Sequence, residues 1–296
     1  MKHNKFLYRI SYQKRRAMFS FLFVLPWIVG FLLFSLKPLA DVFIYSFNKV
    51  SFLPDATIKL KFVGFDNYYT ILFVHSEFLT CLMDYLYEML LTLPVVVVFS
   101  LLIALMLNGK IKGRGFFRVV YFMPVVLMQG PLMEIVDSLD AMSISGVDTM
   151  FVFSFIQNQL PKFIADSLMY VIRNFSTLVW YCGVQILVCL AGLQKMDKNM
   201  YEAANIDGAS SWQIFWKITL PVSRPFILLS AIYTVVDLST MDRNSLIQII
   251  FDHMFSEGSG FGYPSAVAVM YFLIMLMIAG IVLLLLGKNE RKPVKA

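Results

Sequence analysis

Apolar residues in this chain gather in long runs bounded by charge, with little of the short-range alternation that marks half-buried strands. A helix needs roughly 20 apolar residues to cross the hydrocarbon core of a bilayer. Six runs meet or approach that length: Met18 to Leu36, Leu82 to Leu107, Phe116 to Val136, Met169 to Leu193, Phe226 to Thr240 and Ala266 to Leu286. The fifth is the shortest. The first follows Lys14-Arg15-Arg16, as a signal peptide would, but its run is too long and no small-x-small cleavage site follows, so it reads as an uncleaved anchor. Pro124 and Pro131 fall in the third run. Neighbouring helices can re-satisfy the backbone groups that such prolines free.

The pattern predicts an all-α membrane protein with six transmembrane helices, and an even number of spans puts both termini on one side. Lysine and arginine choose the side. The tail before Ala17 carries six of them, and the segments at 110–118, 195–224 and 288–295 carry four each, which is 18 of the 25 in the chain. Those segments, and both termini, are therefore expected in the cytoplasm. The domain reading is a tail at 1–17, one six-span domain at 18–287 with a cytoplasmic loop at 194–225, and a tail at 288–296. In the first outer loop, Phe62-Val-Gly-Phe-Asp-Asn-Tyr-Tyr69 has strand-turn composition, with Gly64 and Asp66-Asn67 as turn formers.

Composition agrees: 59% of the residues are hydrophobic and 15% charged, against about 45–50% and about 25% in a soluble domain. A formal charge of +6 raises the question of nucleic acid. The basic residues flank apolar runs instead of forming a patch with exposed aromatics, which argues against it. Cys81, Cys182 and Cys189 show no CxxC and no histidine at ligand spacing, so they are expected as packing residues with no metal site. His75 and His253 read as lone surface histidines in outer loops. No Gly-x-x-x-x-Gly-Lys-Ser/Thr occurs, so the chain lacks that means of holding ATP.

The cytoplasmic segment Tyr201 to Pro221 reads as a helix-turn-helix. Tyr201 to Asp207 is composed of helix formers, Gly208 permits a turn, and Ser210 or Ser211 can cap a second helix with Ile214, Phe215 and Ile218 on its apolar face. Leu220-Pro221 is expected to end that helix before the next span. Such a hairpin is more naturally a docking element than a linker.

Glu202-Ala203-Ala204, then Asp207-Gly208-Ala209, then Ile218, Leu220 and Pro221 resemble the EAA signature of permease subunits of binding-protein-dependent ABC importers. Phe62-Val-Gly-Phe-Asp-Asn-Tyr68, Gly113-Arg-Gly-Phe-Phe-Arg118 with Tyr121-Phe-Met-Pro124, and Leu190-Ala-Gly-Leu-Gln194 are similar to its sugar-uptake branch. Family members often have Ile-Pro where this chain has Met196-Asp197, so another residue must set the helix boundary there. The segment from Asp137 to Leu168 matches nothing in the family pattern.

The resemblance implies an ABC type I importer permease-like bundle in a bacterial inner membrane, a transport subunit and not an enzyme. It implies a partner ATPase dimer that holds ATP and magnesium, with no cofactor in this chain. Further implied partners are a second homologous permease and an extracytoplasmic solute-binding protein that delivers a carbohydrate, an oligosaccharide by preference. Glu202, Ala203, Ala204, Asp207, Gly208 and Pro221 are then the ATPase-coupling residues, although Glu202 could equally serve its own helix N-terminus. Polar and aromatic groups inside spans mark a translocation path. Trp180, Tyr181 and Gln185 in the fourth span and Tyr233, Asp237 and Thr240 in the fifth are the substrate candidates. The competing reading places the aromatics in interfacial belts and Asp237 and Thr240 at the outer surface. Glu134 and Asp137 read as a solvated helix end.

Overall fold

A computed structural model describes residues 12–52, 58–109, 159–173, 175–241, 244–255 and 260–287, together with scattered positions between 115 and 123. The chain begins with α1 (Tyr12–Phe31), a π-helical turn at Leu32–Leu36 and α2 (Lys37–Ser46). A hairpin of β1 (Asn48–Phe52) and β2 (Ile58–Phe62) follows, then α3 (Asp66–Tyr69), a second π turn at Thr70–Val74 and α4 (Ser76–Asn108). Beyond these lie α5 (Lys162–Arg173), α6 (Phe175–Gln194), α7 (Lys198–Ile206), α8 (Ser211–Ile214), a third π turn at Phe215–Thr219, α9 (Leu220–Thr240), α10 (Ser245–Phe255) and α11 (Gly262–Gly287).

Four stretches among the described residues are long and apolar enough to cross a membrane: Met18–Ser46, Ser76–Asn108, Ser211–Met254 and Gly262–Gly287, with a shorter apolar helix at Tyr181–Gln194. The four stretches contain four of the six expected runs, and the shorter helix covers the second half of the run at Met169 to Leu193. The run at 116–136, with Pro124, Pro131 and Glu134, lies mostly outside the described residues, as does Asp137. Among the described residues α1 and the π turn after it are largely uncovered: Phe23, Trp27 and Phe34 are strongly exposed, which lipid tolerates and water does not.

The first helix differs from expectation in running ten residues past Leu36. Pro38 should obstruct this, because its ring collides with the carbonyl four residues back and it offers no N–H. The π turn resolves the conflict: the N–H of Lys37 reaches back to the Leu32 carbonyl, which widens the helix just ahead of the proline. The same device recurs at Phe215–Thr219, where the Leu220 N–H bonds the Phe215 carbonyl and Pro221 follows at once. The expectation that Leu220-Pro221 ends a helix is therefore corrected. Helical backbone continues from Ser211 to Thr240, about 45 Å at 1.5 Å per residue.

Two compact units emerge from the backbone contacts. One comprises residues 1–79 and 246–272, the other 80–245 and 273–296. In the first, the hairpin pairs antiparallel with Val50 opposite Leu60 and Lys49 opposite Lys61. Gly64, at φ +60°, makes the turn out of β2. Asp66 and Asn67 open α3 instead of forming the turn. Asn67 clamps the hairpin base by donating its amide to the carbonyls of Ser46 and Asn48 at 2.9 and 3.2 Å, while the Tyr68 hydroxyl donates to Ser46 Oγ at 2.8 Å. The histidines are not solitary: His75 and His253 both pack on Tyr263, with ring centroids 5.5 and 4.8 Å from it.

In the second unit α4, α6 and α9 pack through Val96 and Ala104, Cys182, Ile186 and Cys189, and Ala231 and Val235, all almost wholly buried. The three cysteines are free, and Cys182 and Cys189 fill this core as expected. Small residues let the helices approach, as membrane bundles require. At Gly192 of α6 a methyl group would overlap the Phe226 ring of α9. The segment 137–168, unassigned from sequence, ends in α5, whose Ala165 and Met169 are buried.

Gly260 supplies a test of the hairpin clamp. It sits at φ +60°, and a Cβ there would run into the Val50 carbonyl. Non-glycine residues pay roughly 1–2 kcal/mol for such a backbone before any overlap is counted. Gly260→Val is expected to loosen β1 and β2, seen as faster tryptic cleavage at Lys59 and Lys61 in detergent-purified protein. Cleavage at the wild-type rate would show that the clamp does not hold the hairpin.

Candidate functional site

Between α6 and α9 the chain forms the helical hairpin that the sequence anticipated, and each of its boundaries has a local cause. Asp197 caps α7, its carboxylate accepting from the Asn199 N–H at 2.9 Å. This supplies the boundary that Ile-Pro sets in the resembling family. At the other end the Ala209 N–H bonds the Ala204 carbonyl at 3.0 Å and the Gly208 N–H bonds the Asn205 carbonyl at 3.1 Å. That is a Schellman closure, which needs a left-handed residue; Gly208 provides it at φ +76°. Ser210 then caps α8 within a full capping box, its hydroxyl accepting from the Gln213 N–H while the Gln213 side chain accepts from the Ser210 N–H.

Of the expected coupling residues, Glu202, Ala203, Asp207 and Gly208 form one exposed surface, and Pro221 is exposed on the stem of the long helix. Ala204 faces inward and is buried. Space beside the Gly208 Cα is open, so only its backbone angle demands glycine. The Tyr201 hydroxyl joins the hairpin to its stem, donating to Met196 Sδ at 2.9 Å and lying 3.2 Å from Thr219 Oγ1. Sequence reasoning missed the apolar part of this surface. Ile206 is 87% exposed and Trp212 70% exposed, with Trp216 packed edge-to-face against Trp212 at a centroid distance of 5.5 Å. The signal was available, since an isoleucine and two tryptophans outside any apolar run are costly to solvate.

The six substrate candidates separate onto different surfaces. Gln185 is fully buried between α6 and α9, donating Nε2 to Thr234 Oγ1 at 3.1 Å, and its Oε1 has no partner among the described residues. Tyr181, one turn earlier, is also buried. Tyr233 and Thr240 are exposed and Asp237 is half-exposed; all three lie on the face of α9 that turns away from α6. Trp180 belongs to α6, the helix that also carries Tyr181 and Gln185. The structure thus brings Tyr233, Asp237 and Thr240 together on one face and sets Tyr181 and Gln185 in the seam behind it.

Two further seam groups were not anticipated. Tyr85 of α4 and Ser239 of α9 share a buried hydrogen bond of 2.6 Å, and Ser239 also donates to the Val235 carbonyl. A tyrosine in an apolar run pointed to a buried partner without saying which. Among the described residues no group of three or more His, Cys, Asp or Glu is placed to hold a metal ion.

Comparison with solved structures shows the same fold in a bacterial ABC transporter involved in the import of the acidic polysaccharide alginate, at a TM-score of 0.66 and 20% identity over 94% of this chain and 98% of that one. Among curated proteins, the arabinooligosaccharides transport system permease protein of Bacillus subtilis is 27% identical over 94% of this chain and 91% of its own length. The multiple sugar-binding transport system permease protein of Streptococcus mutans is 30% identical over 84% and 87%. The trehalose/maltose transport system permease protein of Thermococcus litoralis is 28% identical over 94% and 96%. A family model described as the binding-protein-dependent transport system inner membrane component matches residues 69–289, which include the helical hairpin and both faces of α9, and the chain belongs to that family.

Proposed function

We propose that this chain forms the translocation path of an ATP-driven importer for an oligosaccharide and is driven through the hairpin at 194–225. It is a permease component of the inner membrane and not an enzyme. The carbohydrate assignment draws on relatives named for arabinooligosaccharides, multiple sugars and trehalose/maltose. The proposed assembly adds a second homologous permease, an ATPase dimer that holds ATP and magnesium, and an extracytoplasmic solute-binding protein. One solved neighbour is an alginate transporter in complex with an alginate pentasaccharide-bound periplasmic protein. The basic loops argue for both termini in the cytoplasm, which puts the hairpin beside the ATPase.

The observation that carries the reading is the unbroken helical path from Ser211 to Thr240. Glu202, Ala203, Asp207 and Gly208, extended by Ile206 and Trp212, offer a carboxylate and an apolar patch that suit a cleft on a partner subunit. Tyr201 ties that surface to Thr219 at the stem. Further along, the Gly192–Phe226 contact and the Gln185–Thr234 hydrogen bond join α6 to α9, so displacement of the hairpin carries both helices. The opposite face of α9 presents Tyr233 to stack on a sugar ring, and Asp237 and Thr240 to hydrogen-bond hydroxyls. Trp180 is the α6 candidate for the same path. Tyr181 and Gln185 are assigned a supporting role, holding the seam behind that face.

Coupling is tested at the turn. Gly208→Val imposes a strain of roughly 1–2 kcal/mol on the left-handed position, and Glu202→Lys reverses the charge offered to the partner. Each variant is expected to assemble with the ATPase yet lose ATP-driven uptake in proteoliposomes. Wild-type transport by both would remove the hairpin as the coupling element.

For the path, Asp237→Ala and Tyr233→Ala are each expected to lower uptake about tenfold or more through lost contacts to solute. Gln185→Leu should leave solute preference unchanged, since its side chain is walled off. If Gln185→Leu altered solute preference while Asp237→Ala did not, the two faces would have to exchange roles.

A further inference from the structure

The hairpin of the first unit carries positive charge that no carboxylate pairs with among the described residues. Strand register sets Lys49 directly opposite Lys61 and Ser51 opposite Lys59, so three ammonium groups share one face of a two-stranded ladder. All three lysines are exposed, and among the described residues no carboxylate pairs with any of them. Like charges directly across a ladder oppose its formation. Lysine also protects a free strand edge from unwanted pairing, which would account for Lys59 and Lys61 on β2. It does not account for Lys49. That residue lies on β1, where Gly260 and Gly262 approach the Val50 and Asn48 carbonyls so closely that no side chain would fit between.

The face is also rigidly presented. Asn67 and Tyr68 bind the hairpin base to Ser46 and Asn48, and the Val50 side chain is buried. A hairpin this firmly held, with a cationic face unpaired among the described residues, is suited to a partner that brings negative charge.

We propose that Lys49, Lys59 and Lys61 form a docking face for an acidic surface on the solute-binding protein that delivers substrate to this permease. The proposal rests on the importer reading and on the orientation that puts residues 48–62 outside the cytoplasm. Charges of this kind act mainly by steering encounter, so their removal should appear in the association rate and its salt dependence.

The test uses the complete importer in nanodiscs of neutral phosphatidylcholine, with association of its own solute-binding protein followed by biolayer interferometry. Lys49→Gln with Lys61→Gln removes the opposed pair at nearly constant side-chain length; Lys49→Glu with Lys61→Glu reverses it. Expected is an association rate about tenfold lower for the glutamate pair at ~0.1 M salt, an intermediate rate for the glutamine pair, and a flattened salt dependence in both. ATP hydrolysis without binding protein should stay at the wild-type level, which reports an intact complex. Unchanged association in both pairs overturns the docking face and leaves the importer reading standing. An effect that appears only in nanodiscs containing anionic lipid assigns the lysines to headgroups and overturns it as well. Failure of the wild-type complex to bind any solute-binding protein would sink the importer reading and this proposal together.

Discussion

Inside a bilayer no water is available to a freed backbone N–H or carbonyl, so a helix that crosses it has to keep its hydrogen bonds within the segment or close by. Proline works against this by removing a donor and crowding the carbonyl four residues back. Twice this chain meets the conflict by widening one turn just ahead of the proline, at Leu32–Leu36 before Pro38 and at Phe215–Thr219 before Pro221. The second instance has functional weight. It turns what could have been a loop into a stem, so that α8 and α9 form one helical path from the hairpin to the face with Tyr233, Asp237 and Thr240.

The two sides of α9 divide its labour by residue size and polarity. Ser230, Ala231, Thr234, Val235 and Ser239 are small enough for close packing and are buried, and the Thr234 and Ser239 hydroxyls bond backbone carbonyls of α9 as well as groups on α6 and α4. Thr234 bridges to Gln185, and Ser239 to Tyr85. Hydrogen bonds between membrane helices contribute about 0.6 kcal/mol on average. Their value here lies more in fixing the register of α6 against α9 than in raw stability. The other side keeps Leu229, Tyr233 and Val236 exposed.

Four of the spans and the hairpin were legible because both rest on local chemistry: run length for the spans, and Gly208 and Ser210 for the turn and cap. Asp197 could also have been found, since an aspartate ahead of helix formers is a cap wherever it occurs. What sequence could not give depended on tertiary packing or on an uncommon helical form. Leu220-Pro221 reads as a stop unless a π turn is foreseen, and no residue pattern announced one. Asn67 reads as a turn former, yet its amide is used to clamp a strand 19 residues away. Gln185 and Asp237 look equally suited to a sugar path in a helix that is apolar all round. Only the packing of α6 on α9 shows that one is walled off and the other accessible.

The central claim is that the hairpin and α9 move as one body, so that a displacement at Ile206 reaches the path undiminished. Spin labels at Ile206 and Val236, both exposed, report on it directly through their distance in the reconstituted complex, with and without ATP. The account predicts a distance constant to about 2 Å, well under half the ~5.4 Å pitch of a helical turn, in preparations that carry out uptake. A change of a full turn or more on ATP binding would mean that the helix bends or unwinds at Phe215–Thr219, and would contradict it.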